Sequence, residues 1–340
     1  MATAQIVSVQ QAFEDFERNV VRVPIAENAV AKRVQREIRD HLASELPDLL
    51  ETFLSGSYSR RVQVVRLHDI DIIVVLDDPL GVYADSAVAA LRAIGQAAAT
   101  CELVSSVTPP RVRSVRLSLH DYEFTVDLVA AREPDEDEDG LLLACNLPEE
   151  GRDDWTWGNP RGQRQAAIDK NDETGGIYVP SVRLVKYWLG RVWGDDERPF
   201  RSYHAESILY GALTEKVEYD EAMVLFFDAA YSALAPGVLT PDPGAPGTYV
   251  DERLDANDRR EARDAVAAAR AAAHAAYEKE DVEEALDAWA QIFGPAFPAP
   301  DTSTNAVAES LAAGTAGVVG AGIAAERGRP VIPSRPWRER

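Results

Sequence analysis

Thr52-Phe53-Leu54-Ser55-Gly56-Ser57-Tyr58-Ser59-Arg60-Arg61, followed by His68-Asp69-Ile70-Asp71-Ile72-Ile73-Val74-Val75-Leu76, is the stretch from which the rest of the chain is read. The run from Ile70 to Leu76 is β-branched and apolar, which predicts a strand buried on both faces. Residues two apart in a strand point to the same side, so Asp69 and Asp71 project together from its start. Two carboxylates held together at the mouth of an apolar strand repel each other and lose hydration. A divalent cation removes both problems, and carboxylates, water and substrate phosphates suit Mg²⁺ or Mn²⁺. Phe124-Thr125-Val126-Asp127-Leu128-Val129 is a second apolar strand with one acid, able to lie beside the first. Three carboxylates on neighbouring strands can hold two metal ions around a nucleoside triphosphate, with the Gly56-Ser57 turn gripping its phosphates. Singly, Gly-Ser and Asp-x-Asp are weak signals and fit exposed acids at a strand end. Their order and the elements that carry them select the catalytic reading.

Composition bounds the function. The 340 residues suffice for one large core or two domains, and 46% hydrophobic with 27% charged residues is ordinary for a soluble globular protein. Met1-Ala2-Thr3-Ala4-Gln5 lacks the basic and apolar parts of a secretory signal. The uncharged stretch from Ser310 to Ala325 is too short and too weakly apolar to span a bilayer. Cys101 and Cys145 show neither disulfide nor zinc spacing, so a reducing cytoplasm without membrane contact is the expected location. The net charge of −22 comes from 57 acids and 35 bases. It disfavours long nucleic acid as a partner, because a basic face that neutralises phosphates supplies much of that affinity. Small nucleotides, whose charge metal ions largely carry, are favoured. Solubility alone, or a salt-tolerant or high-GC proteome, accounts for the same imbalance. Local basic patches persist at Arg60, Arg61 and Arg66 and at Arg111, Arg113 and Arg116.

The expected organisation is an N-terminal unit over 1–160, a helical unit over 161–298 and a tail over 299–340. Residues 8–50 read as two helices, the second striped by Val30, Val34, Ile38 and Leu42. A short strand at 52–55 precedes the Gly-Ser turn, and Pro79-Leu80-Gly81 breaks the chain after the Asp69 strand. An Ala-rich helix fits Asp85 to Ala99, and Val115, Leu117 and Leu119 alternate as in a half-buried strand. Glu133 to Gly140 reads as a solvated acidic loop, and Trp155, Trp157, Gly158, Asn159 and Pro160 as a turn-rich join. Beyond it a helix starts near Pro180 with Val182, Val185, Leu189 and Val192 as its buried stripe. Further helices fit 203–214, 220–234, 256–279 and 281–293. The tail is rich in Ala, Gly, Pro and Arg without an apolar period, and is expected to pack loosely and be dispensable for chemistry.

A second constellation lies in the helical half. Lys186 is on the Val182 helix, and Ser202-Tyr203-His204-Ala205-Glu206 opens the next. A lysine and a serine at a helix N-terminus can grip phosphate oxygens, and a tyrosine beside them offers a ring to a base. The same residues fit a surface lysine, a helix cap and core packing; the metal site upstream tips the reading towards nucleotide contact.

With these motifs the sequence resembles the cGAS/DncV-like nucleotidyltransferases, or CD-NTases, the bacterial oligonucleotide cyclases of CBASS antiphage defence. The resemblance covers most of residues 50 to 298. Gly56 to Arg60, Asp69 to Leu76 and Val126 to Val129 belong to all polymerase-β-like transferases. Asn159-Pro160, the segments from Val182 to Trp188 and Ser202 to Glu206, and the ending from Ala288 to Pro298 narrow it to this branch. The resemblance implies an α/β (α+β) fold: a polymerase-β-like core with a C-terminal helical domain and the active site in the cleft between them. It implies Asp69, Asp71 and Asp127 as catalytic acids holding two Mg²⁺ (or Mn²⁺) ions. Gly56, Ser57, Arg60, Lys186 and Ser202 would bind the nucleotide and Tyr203 would stack on a base. The implied activity joins NTPs, ATP or GTP or both, into a cyclic di- or trinucleotide with release of pyrophosphate, the product acting on a downstream effector. The chain does not end in the glycine or alanine that some members present for ubiquitin-like conjugation, which argues against that regulation. Two rivals remain at this level. A transferase that modifies RNA or a protein would call for a basic acceptor groove or an added RNA-binding domain, and neither is evident. A silent nucleotide-binding protein would not be expected to keep Gly56, Ser57 and all three acids.

Overall fold

The computed structural model describes residues 8–78, 80–134, 140–147, 151–194, 198–252 and 254–298. The expectations for the first residues, for the centre of the acidic loop and for the tail over 299–340 lie outside the described residues. Along the chain run α1 (Val9–Phe16), a π-helical turn (Glu17–Val21), α2 (Ile25–Glu45), β1 (Leu49–Leu54), α3 (Gly56–Ser59), β2 (Asp69–Leu76) and α4 (Ala87–Ala98). They continue as β3 (Val104–Val107), β4 (Ser114–Leu119), β5 (Thr125–Arg132), β6 (Leu141–Leu147) and β7 (Arg152–Gly158). Then come α5 (Pro160–Glu173), α6 (Tyr178–Trp193), α7 (Ser202–Ala212), α8 (Tyr219–Ala233), α9 (Ala256–Tyr277) and α10 (Val282–Phe293).

The described residues divide into two compact units. One is Val23–Ile168 with Pro243–Pro246; the other is 8–22, Asp169–Asp242 and 247–298. Residues 161–168 group with the first unit and α1 with the helical unit, whereas the sequence reading sets the division at residue 160. Phe13 and Phe16 of α1 are fully buried, and their rings meet Trp289 and Phe297 at 4.9–5.1 Å between centroids. Such edge-on aromatic contacts add specificity to the area they bury. In the same unit Glu17 is buried and takes Arg183 Nε and Arg22 Nη2, each at 2.6 Å. A buried carboxylate is tolerable only when paired in this way.

In the first unit the sheet order is β1-β2-β5-β4-β3, with β6 continuing the pairing along β5 and β7 beside β6. Ile70, Ile72, Val74 and Leu76 of β2 enter the main core with Val34, Ile38 and Leu42 of α2, Leu91 and Ile94 of α4, and Val115, Leu117 and Leu119 of β4. Ile73 and Val75 pack on the opposite face with Ala131, Leu141 and Leu143. β2 is thus buried on both faces, as its composition predicts. A one-residue slip would pull four aliphatic side chains out of the main core, at a cost on the order of 6 kcal/mol or more. That core fixes which way the acids at the start of the strand point.

Several elements differ from the sequence reading. Trp155 and Trp157 stand in β7, which pairs along its length with β6, and Trp155 Nε1 donates to the Tyr83 carbonyl at 2.9 Å. The Gly-Asn-Pro end of that strand reads as a turn, and a bulky aromatic beside aspartates masks its alternation. α5 was not anticipated because it is almost wholly polar; its Lys170 is buried, donating to the Leu213 carbonyl at 3.1 Å over the Tyr210 ring. Val192, expected in the buried stripe of α6, is 41% exposed near the helix end.

Candidate active site

β2 and β5 run parallel in a register that sets Asp71 beside Asp127. With the period of two along β2, Asp69, Asp71 and Asp127 share one sheet face, opposite the one packed on α2 and α4. The Asp71 pKa is pushed up to about 7, first by burial and then by the charges of Asp69 and Asp127, with Arg60 and Arg116 opposing. Asp127 is 8% exposed, and β4 brings Arg116 directly opposite it in the antiparallel register. Arg116 Nε donates to Asp127 Oδ1 at 2.8 Å and Nη2 to Oδ2 at 2.6 Å, while Nη2 lies 4.0 Å from Asp69 Oδ2. The pair holds the guanidinium pKa above its ordinary value. Sequence reasoning placed Arg116 only in a basic patch. The alternation around Val115 and Leu117 gave its face, but not the strand register that gives its partner.

The Gly-Ser segment forms α3, a single helical turn where a turn was expected. Ser55 N–H donates to the Asp71 carbonyl at 2.9 Å, which fastens the turn to β2. Gly56 sits at φ 60°, and a Cβ there would overlap the Asp71 carboxylate. Only glycine allows this backbone to pass so close to the acid. Ser57 is half-buried. Tyr58 is buried, its hydroxyl donating to the Asn28 carbonyl at 3.1 Å, so the turn is anchored on α2. Arg60 ends the turn; it is buried and close enough for its charge to lower the Asp71 pKa.

Among the described residues no three His, Cys, Asp or Glu side chains converge as a ready-made metal centre. Both oxygens of Asp127 are engaged by Arg116. The donor set still fits a hard divalent cation, since it offers only carboxylate oxygens and an Asp71 whose proton affinity is raised by burial and then by neighbouring negative charge. Asp69, Asp71 and Asp127 are the residues that would hold it.

In the helical unit, Lys186 is half-buried on α6 and Ser202 is the first residue of α7, with Arg201 as the cap. Arg198 Nη1 approaches Ser202 Oγ at 3.4 Å. The Tyr203 hydroxyl donates to Asp242 Oδ1 at 2.6 Å. His204 is buried, with Nε2 2.9 Å from Thr240 Oγ1, and Asp251 accepts from Thr240 N at 2.8 Å and Arg259 Nη2 at 2.9 Å. Burial lowers the His204 pKa to about 4, with Arg259 acting in the same sense and Asp251 against it. The start of α7 is therefore tied to the 240–251 segment. Asp242 was missed because a loop acid gives no periodic signal.

No family model matches the chain. It is 25% identical to the cyclic AMP-AMP-AMP synthase of Acinetobacter sp. (strain ATCC 27244 / 9458), over 99% of each chain. The CD-NTase CdnG of Bradyrhizobium diazoefficiens, solved in complex with GTP, superposes with a TM-score of 0.68 at 14% identity, over 91% of this chain and 99% of that one. CdnC of E. coli MS115-1, solved as a complex with HORMA-deltaN, gives 0.65 at 19% identity, over 86% and 98%. The mixed α/β architecture is that of a polymerase-β-like nucleotidyltransferase. The chain is thus similar over its full length to a cyclic trinucleotide synthase and shares the fold of solved CD-NTase structures. Among the described residues no helix is long and apolar enough to cross a membrane.

Proposed function

We propose that this protein is a Mg²⁺- or Mn²⁺-dependent cyclic oligonucleotide synthase. It joins NTPs, ATP or GTP or both, into a cyclic di- or trinucleotide and releases pyrophosphate. The product is a cytoplasmic second messenger for a downstream effector in antiphage defence of the CBASS type. The observation that carries this reading is the gathering of Asp69, Asp71 and Asp127 on one sheet face against the Gly56 turn. The likeness to a cyclic AMP-AMP-AMP synthase supports the product class.

In each transfer a ribose hydroxyl of one nucleotide attacks the α-phosphorus of another. The new P–O bond forms as the bond to pyrophosphate breaks, and the hydroxyl proton passes to water. Cations held by the three acids would lower the hydroxyl's pKa and neutralise charge on the leaving pyrophosphate. Asp127 orients the attacking oxygen. Gly56 and Ser57 bring backbone N–H groups to the phosphates, and Arg60 adds positive charge beside the acids. Lys186 and Ser202 grip the triphosphate, and Tyr203, fixed through Asp242, offers its ring to a base. A second transfer within the linear product closes the ring.

The test is incubation with all four NTPs and Mg²⁺, or Mn²⁺, and no added acceptor. Pyrophosphate release and a cyclic product by mass spectrometry are expected. Release only on addition of RNA or protein would favour the acceptor-modifying transferase, and nucleotide binding without release under any condition would favour a silent binding protein. Ser202→Ala and Lys186→Ala should each weaken triphosphate binding by about 1–3 kcal/mol, raising KM more than they lower kcat. Unchanged calorimetric affinity for a non-hydrolysable NTP in both variants would return these residues to a capping and surface role.

A further inference from the structure

We infer that Arg116 is a positioning residue that competes with the divalent cation for Asp127, so that its guanidinium sets the cation affinity of the nucleotide-free enzyme. The inference rests on the reading of Asp69, Asp71 and Asp127 as the metal-holding acids. The β4–β5 register puts Arg116 opposite Asp127, and its side chain meets both carboxylate oxygens, Nε to Oδ1 at 2.8 Å and Nη2 to Oδ2 at 2.6 Å. A guanidinium fork matched to a carboxylate is among the strong, orienting hydrogen-bonded pairs. Asp127 is buried, so water does little to loosen the pair. The same Nη2 lies 4.0 Å from Asp69 Oδ2, so one positive charge serves two of the three acids. A metal ion that takes Asp127 as a ligand draws on the same carboxylate charge and weakens or displaces the fork. The guanidinium offsets part of the charge of the three acids, and a cation that binds Asp127 competes with it for the same carboxylate. A nucleoside triphosphate would ease the exchange by giving the freed guanidinium phosphate oxygens to bind.

Titrating Mn²⁺ into the full chain without nucleotide, by calorimetry and by the electron-spin signal of free Mn²⁺, tests this directly. Arg116→Gln should bind Mn²⁺ about tenfold more tightly than the parent, and its metal-free melting temperature should fall and then recover on adding Mn²⁺. Arg116→Lys keeps the charge but cannot form the fork, so its affinity should lie between the two. It also serves as the folded variant if the glutamine substitution destabilises the chain. Asp127→Asn should weaken binding. If Asp127→Asn weakens binding while both Arg116 variants bind like the parent, the competition is wrong and Arg116 is only structural. Tighter binding in the glutamine variant with parental affinity in the lysine variant would leave a long-range charge effect and overturn the role of the fork. If Asp127→Asn and the Asp69→Asn, Asp71→Asn double variant bind Mn²⁺ like the parent, the metal reading itself fails.

Discussion

Replacing Asp69 and Asp71 together by asparagine should abolish product formation while raising the stability of the metal-free protein. The two effects have one cause. Both side chains are aimed at the same spot by the period of β2, beside Asp127 of the parallel neighbour. Loss of the charge that would hold cations at a developing pyrophosphate should cost at least about a thousandfold in rate. In the metal-free state the same charge is a liability. The folded-state Asp71 pKa is pushed up from 3.8 to about 7, so between those values the folded chain binds more protons than the unfolded one. Stability of the parent in a chelator should therefore decline as pH rises from about 4 to about 7 and level off above, by the linkage between proton uptake and folding. Asparagine carries no such proton, so the double variant should lack this slope. At pH 8 it should gain on the order of 1–2 kcal/mol, less than the full shift because Arg60 and Arg116 lose partners. Melting curves in chelator at pH 5 and pH 8, with product analysis by mass spectrometry, read both effects. Product at the parental rate would remove the acids from the site.

What the sequence made legible was local. The apolar run of β2 and the alternation of β4 follow from side-chain period alone, and so does the shared face of Asp69 and Asp71. The place of Asp127 needed only that two apolar strands be neighbours, which β2 and β5 are. What escaped depended on partners remote in the chain. Arg116 meets Asp127 only because an antiparallel register puts them opposite. α1 joins the helical unit because its phenylalanines find Trp289 and Phe297 at the far end of the described chain. Tyr203 is fixed by Asp242 from an irregular segment with no pattern to announce it. β7 and α5 failed for a different reason: their compositions contradict their conformations, and pairing with β6 in one case and tertiary burial of Lys170 in the other override local preference.

Gly56→Ala should be nearly as damaging as loss of an acid, although it adds a single methyl group. Two penalties act together. A residue with a Cβ at φ 60° costs about 1–2 kcal/mol in backbone strain. The new methyl would also occupy the space of the Asp71 carboxylate, which belongs to a strand locked by core packing on both faces. β2 cannot retreat, so the carboxylate has to turn aside. Displacing a reacting or metal-holding group by about 1 Å can cost a hundredfold in rate. The variant should accordingly keep its fold, lose a few degrees of melting temperature, drop at least about a hundredfold in kcat and bind Mn²⁺ more weakly. Gly81→Ala is the matched control. Gly81 has φ 68°, but the nearest neighbour of an added Cβ is Ala84 Cβ at 3.8 Å, an ordinary contact. It should suffer the strain without the collision, losing stability while keeping parental kcat and Mn²⁺ affinity. Equal losses of activity in the two variants would make backbone strain the cause. Parental activity in Gly56→Ala would mean that the close approach of the turn to Asp71 plays no part in the chemistry.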